Sequence, residues 1–249
     1  MERRVTRTGL NLLAALTLAL GLAAMAPPSY VQLAVADSSR PKDDVSQDIL
    51  RDPTDTLTFA GAKPGMTIGE LFPGGGYYSR LLIDIVGPRG KVYGLENAGW
   101  KDAVTADQQM MAEPNRATFK LDVEPFGEFK LPEKIDLFWI TQNYHDLHIA
   151  KYGAVDLAGF NRRVFEALKP GGVYFILDHQ ANPGTTPDQI AVLHRIEKAE
   201  VIREVTAAGF KLVAEGHFLE RPADDHTKTI FDAAIRGHTD QYALKFVRP

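Results

Sequence analysis

Two clusters in this chain combine residue types and spacing suited to chemistry. The first is Glu70-Leu71-Phe72-Pro73-Gly74-Gly75-Gly76-Tyr77-Tyr78, with Glu96 twenty positions after the last glycine. Glycine lacks a Cβ, so such a run can turn sharply and lie against a ligand. A helix starting there offers free N–H groups to a carboxylate or phosphate. An acid ending the next strand can accept both hydroxyls of a ribose. A glycine run alone also suits a purely structural turn; the flanking elements and Glu96 favour a nucleoside ligand. The second cluster is Gln142-Asn143-Tyr144-His145-Asp146-Leu147-His148, together with Asp178-His179. Histidine titrates near neutral pH, which makes His145 the first candidate for a general base. The blander readings are a helix cap for Asp146, packing for Tyr144 and a hydrogen-bonded strand end for Asp178-His179. His145, Asp146, His148, Asp178 and His179 could also ligate a metal. Their spacing matches no zinc or calcium pattern, so no metal is assigned. Asp224-Asp225-His226 reads as a solvated turn.

Positioning these clusters requires alternating strands and helices. The patterning predicts strands over 67–72, 91–96, 118–121, 135–141, 173–178, 210–218 and 242–247. Helices are expected over 77–86, 101–111, 160–168 and 187–208, the last a single long amphipathic helix closed by Gly209. Asp52-Pro53 has the form of an N-cap followed by proline at the first helical position, with Gly61 closing a short helix. The apolar run 135–141 (IDLFWIT) suits a strand buried on both faces of a parallel sheet. Alternation of this kind specifies a doubly wound, mostly parallel α/β sheet of seven strands. Ligands of such sheets bind beyond the carboxyl ends of the strands, which is where both clusters fall.

Two cofactors compete for the glycine loop. A dinucleotide fingerprint read on Gly74 and Gly76 would put Ser79 where the third glycine belongs. The alternative is S-adenosylmethionine. The run from Glu70 to Gly76 resembles the acidic-x-Gly-x-Gly-x-Gly loop of class I methyltransferases, matching at Glu70, Gly74 and Gly76, with Phe72 in place of the first glycine. Because Phe72 precedes Pro73, it is expected to be extended, prolonging the strand by one residue. Ala167-Leu168-Lys169-Pro170-Gly171-Gly172 is similar to that family's turn into its fifth strand. Ala207-Ala208-Gly209-Phe210 resembles the entry to its sixth strand, and Gly237-His238-Thr239-Asp240 with 242–247 its antiparallel last strand. The combination of Phe72-Pro73-Gly74-Gly75-Gly76, Asn143-Tyr144-His145-Asp146 and Gly237-x-Thr239-Asp240 resembles a group of exported bacterial predicted methyltransferases.

The resemblance covers nearly all of the chain from Ile49 onward. It implies a Rossmann-like methyltransferase fold with an antiparallel last strand, and a methyl acceptor that is a small molecule. It further implies that Glu70, Pro73, Gly74, Gly75, Gly76, Tyr78 and Asn143 lie at the cofactor, with Glu96 on the ribose and Asp122, just after the third strand, on the adenine amino group. Gly74 and Gly76 are expected to face the ligand and Gly75 to point outward. His145 would act as base, with Asn143 and Tyr144 shaping the methyl pocket. Two other functions stay open: a non-catalytic binding module on the same fold, and a nicotinamide-dependent oxidoreductase.

The 249 residues, 45% hydrophobic and 24% charged, suit one ordinary domain. Absence of cysteine excludes disulfides, thiolate metal sites and a cysteine nucleophile. Arg3, Arg4 and Arg7, the apolar run 10–26 and Ala34-Val35-Ala36 read as a signal peptide over 1–36, cleaved after Ala36. A domain over 37–249 would follow, with 37–46 as a polar linker. The expected location is the periplasm, with no membrane anchor left after cleavage. The net charge of −4 carries no basic stripe, so no nucleic-acid partner is expected.

Overall fold

Strong β-formers and helix-period segments alternate as the sequence requires, and the computed structural model, which describes residues 26–249, arranges them in three layers. The basic start and most of the apolar run of the expected signal lie outside the described residues. Among the described residues seven strands form one sheet in the order β3-β2-β1-β4-β5-β7-β6. They are β1 (Thr67–Leu71), β2 (Lys91–Asn97), β3 (Phe119–Glu124), β4 (Ile135–Thr141), β5 (Leu168–His179), β6 (Lys211–Gly216) and β7 (Gln241–Val247). All neighbours from β3 through β5 are parallel, and β7 runs antiparallel to both β5 and β6. This is the Rossmann-like sheet with a reversed last strand. The strand order reverses between β1 and β4, which opens the crevice for a ligand at their carboxyl ends.

Residue alternation splits the central strands between two cores. Helices α1 (Ser29–Val35), α3 (Pro53–Ala60) and α4 (Tyr77–Val86) cover one face, packing on Ile68, Trp139 and Phe175. Helices α6 (Leu157–Ala167), α7 (Pro187–Leu193) and α8 (Lys198–Ala207) cover the other, over Phe138, Ile140 and Tyr174. Helix α5 (Lys101–Met111) connects β2 to β3. The Asp52 cap, Pro53 and Gly61 play the expected parts around α3.

Several local expectations give way to tertiary forces. The stretch 37–46 is not a free linker: helix α2 (Lys42–Arg51) begins inside it, and buried Arg40 pairs with Asp48 at 2.7 Å. Residues 26–36 are ordered as well, since α1 buries Val31 and Ala34 against α3 and α4. The long helix expected over 187–208 is broken. His194 is left-handed at φ 55°, and Ile196 bridges Gln180 beside β5. Buried Arg195 draws the break inward by bonding the carbonyls of Gln180 and Lys228 and the carboxylate of Asp224. Asp224 is therefore an ion-pair partner and not part of a solvated turn. Among the described residues no helix is long and apolar enough to cross a membrane.

Candidate functional site

The carboxyl ends of β1 and β4 both finish on a non-glycine residue with positive φ: Phe72 at 54° and Gln142 at 60°. Phe72 thus does not prolong the strand as the following proline suggested. It adopts a left-handed backbone of the kind glycine favours, a conformation costing about 1–3 kcal/mol. The offset is aromatic, since its ring stacks on Phe126 at 5.5 Å and meets Trp100 at 4.7 Å. Tyr152 joins these rings, meeting Trp100 edge-on at 5.3 Å.

The three glycines of the loop have different surroundings. Gly74 (φ 60°) is exposed, and a Cβ there would meet nothing closer than the Phe72 carbonyl at 3.7 Å. Gly75 does not point outward freely. Its N–H donates to Asp107 of α5 at 2.8 Å, and a Cβ would touch Ala106. A Cβ on Gly76 (φ 91°) would lie 2.7 Å from Met110 Cγ, so helix α5, rather than a ligand, demands glycine there. Glu96 ends up beside this loop as expected. Its Oε1 accepts the Asn97 N–H at 2.6 Å, while Oε2 is buried without a full hydrogen bond, next to the Gly74 N–H and the Asp107 carboxyl. Asp107 Oδ2 is likewise buried without a partner. Burial raises the pKa of both carboxyls, and each is close enough to perturb the other.

Other residues expected at the cofactor are placed elsewhere. Glu70 is buried and turned toward α4, accepting from Ser79 Oγ at 2.6 Å, and burial pushes its carboxyl up to about 8. It ties the loop-bearing helix to β1 and does not face the crevice. Pro73 packs against the bare backbone of Gly94 on β2. Tyr78 lies on the opposite face, its hydroxyl on the Arg51 carbonyl and its ring 5.0 Å from Trp139. Asp122 falls within β3, which runs to Glu124, and its carboxylate caps the Lys130 N–H at 2.9 Å. A short apolar strand prediction ended three residues early because the outer half of β3 is only partly buried.

The second cluster is more tightly knit than its sequence suggests. His145 and Asp146 sit on a single 3-10 turn, His145–His148, after β4. Asp178, at the end of β5, accepts from the His145 backbone N–H at 2.8 Å and lies 2.7 Å from His145 Nδ1. Burial opposes charging His145, but the Asp178 carboxylate outweighs it and holds the pKa above the ordinary value. The same pairing holds Asp178 below the usual carboxylate range despite its burial. His145 is 1% exposed and its Nε2 faces His194 Nδ1 at 3.2 Å, so the ring is enclosed and not presented to solvent. Asn143 donates to Asp146 at 2.8 Å. Tyr144 is turned into the core, bonding Glu204 and Asn161 at 2.8 Å each, away from any pocket at the sheet edge. Glu204 also meets His148. His194 was hidden from sequence reasoning because it lay inside a predicted continuous helix.

His179 borders open space. It lines a cavity of ≈ 420 Å³ at the ends of β4, β5 and β7, with Arg51, Gln142, Arg236, Thr239 and Gln241 among its neighbours. Its Nδ1 lies 2.8 Å from Thr239 Oγ1, and burial pushes its pKa down to about 3, so the ring is neutral. Among the described residues no hydrogen bond engages its Nε2.

No protein-family model matches the chain. Solved structures do. A SAM-dependent methyltransferase from Aquifex aeolicus superposes with a TM-score of 0.56 at 17% identity, over 84% of this chain and 100% of that one. The fibrillarin of Aeropyrum pernix, with natively bound S-adenosyl-L-methionine, gives 0.52 at 15% identity over 82% and 74%. An arsenic(III) S-adenosylmethionine methyltransferase from Chlamydomonas reinhardtii gives 0.55 at 16% identity over 89% and 74%. The chain has the methyltransferase fold.

Proposed function

We propose that this chain is an S-adenosylmethionine-dependent methyltransferase acting on a small anionic molecule. The observation that carries this reading is the buried Glu96 Oε2, which has no full hydrogen bond and lies beside the Asp107 carboxyl and the exposed, side-chain-free backbone of Gly74. A buried carboxylate oxygen without a donor is unfavourable by about 1–3 kcal/mol. A ribose hydroxyl supplies the missing donor, and Asp107 Oδ2 can take a second one. Half-buried Trp100, backed by Phe72 and Phe126, offers an aromatic face to a purine. These residues fit the cofactor, which when bound supplies an electrophilic methyl group on a sulfonium sulfur. The chain's own part is to align the acceptor and exclude water. Arg51 and Arg236 border the cavity, no acidic side chain lines it, and neutral His179 can accept a hydrogen bond from an acceptor hydroxyl or amine. That lining favours a carboxylate- or phosphate-bearing acceptor.

Thermal-shift titration with S-adenosylmethionine, its demethylated product and NAD tests the reading. Stabilisation by the first two and not by NAD is expected, and Glu96→Ala should weaken binding by about 1.5–3 kcal/mol. Preference for NAD, or unchanged affinity in a folded Glu96→Ala protein, overturns it. Asp107 holding the Gly75 N–H favours a second reading, a binding module that has lost the reaction; cofactor binding without turnover on any acceptor would select it. The basic start and apolar run support export to the periplasm, tested by fractionation and intact mass.

A further inference from the structure

We propose that His145, Asp146 and His194 form a binding site for a zinc-class divalent cation. Three donor atoms converge at the carboxyl edge of β4 and β5. His145 Nε2 lies 3.2 Å from His194 Nδ1 and 3.4 Å from Asp146 Oδ1, and His194 Nδ1 lies 3.3 Å from Asp146 Oδ1. The three atoms therefore form a nearly equilateral triangle. A tetrahedral ion with bonds of about 2.0–2.1 Å holds its donors about 3.3 Å apart. An octahedral magnesium ion at the same bond length needs donors about 2.9 Å apart, and it prefers an all-oxygen set. Two imidazoles and one carboxylate are donors for zinc and its first-row neighbours.

Two independent observations point to a cation here. Asp146 Oδ1 is buried and accepts no hydrogen bond, although the same residue's Oδ2 is satisfied by Asn143. Asp146 is 5% exposed, so this oxygen is aimed into the cluster with only the two imidazole nitrogens facing it. The other observation is Asp178, which is fully buried and sits against His145 Nδ1 at 2.7 Å. An imidazole that donates Nδ1–H to a carboxylate keeps its Nε2 lone pair free for a metal, and this support fixes the ring's orientation. The ligands come from two loops far apart in sequence. The 3-10 turn after β4 carries His145 and Asp146, and the left-handed residue that breaks the α7–α8 segment is His194. Its positive φ projects the ring against the turn, which a continuous helix could not do. Neither observation depends on the methyltransferase reading, and the ion's binding is measurable without cofactor or acceptor.

The experiment uses the full chain without a histidine tag, stripped with chelator and dialysed. Calorimetry with Zn²⁺ is expected to give one site per chain. Cobalt(II) substitution should give the intense visible absorption of a tetrahedral ion. His194→Asn keeps a residue type that tolerates the left-handed backbone, and Asp146→Asn keeps the side chain's size. Each should weaken the site by at least about 100-fold, equivalent to ~2.7 kcal/mol, while the stripped variants melt like the stripped parent. His217→Asn, at an exposed position, should leave binding unchanged. No uptake by the parent chain overturns the proposal and leaves the cluster as hydrogen-bonded imidazoles. Uptake unaffected by either ligand variant, or lost in His217→Asn, also overturns it.

Discussion

Replacing Glu70 with glutamine should change how stability depends on pH. In the folded protein burial pushes the Glu70 carboxyl up to about 8, with the charges of Asp107 and Glu96 adding to the effect. Its hydrogen bond from Ser79 acts the other way but does not compensate. The unfolded chain releases this proton near the ordinary 4.5. Between those values the folded state binds more protons than the unfolded one, so stability falls as pH rises, by up to about 1.4 kcal/mol per unit for this group. Glutamine is nearly isosteric with the neutral acid and can still accept from Ser79. Glu70→Gln should therefore match the parent near pH 5 and exceed it by about 3 kcal/mol near pH 7.5. Urea unfolding followed by circular dichroism at several pH values gives the difference directly. Glu96 and Asp107 titrate in both proteins, so only their coupling to Glu70 stays in the difference. A difference that stays constant from pH 5 to 8 would show that Glu70 is ionised throughout and would refute the assignment.

The loop glycines should separate by role. Gly74→Ala meets no neighbour and should cost only the left-handed strain of about 1–2 kcal/mol while disrupting cofactor affinity in calorimetry; Gly76→Ala, driven into Met110, should lower stability by more than that, as denaturant melts will show. Tyr144→Phe leaves Asn161 Nδ2 without its acceptor and removes one donor from Glu204, so a loss of about 1–3 kcal/mol is expected. Turnover per folded molecule should be unchanged, and a selective fall in kcat would return Tyr144 to the methyl pocket. A chain starting at Asp37 lacks α1 and its buried Val31 and Ala34. Compared with one starting at Pro27 it should lose about 2–4 kcal/mol and melt roughly 5–10 °C lower; equal melting would show that α1 contributes nothing to the core.

Strand β4, helix α4 and helix α5 were legible to the residue, because hydrophobic period and terminal signals act locally along the chain. The same holds for the Asp52 cap and for the position of Glu96 at the end of β2. The sequence therefore determined the alternation that builds the sheet and the edge on which a ligand must bind, while the reversed last strand was implied by the family resemblance. Side-chain direction at that edge was decided by packing that no local pattern records. Tyr144 and Tyr78 read as site residues by adjacency, yet each found a buried partner and turned away. Glu70 did the same through Ser79. Gly76 reads as a ligand contact until α5 folds over it. The clearest case is His194. Its neighbours continue an amphipathic helical pattern, and the buried Arg195 network and the Ile196 bridge outweigh that preference and break the segment. Those contacts come from residues some thirty positions away or beside β5, so their energy is invisible in the local sequence. The break they impose is what sets a second imidazole against His145.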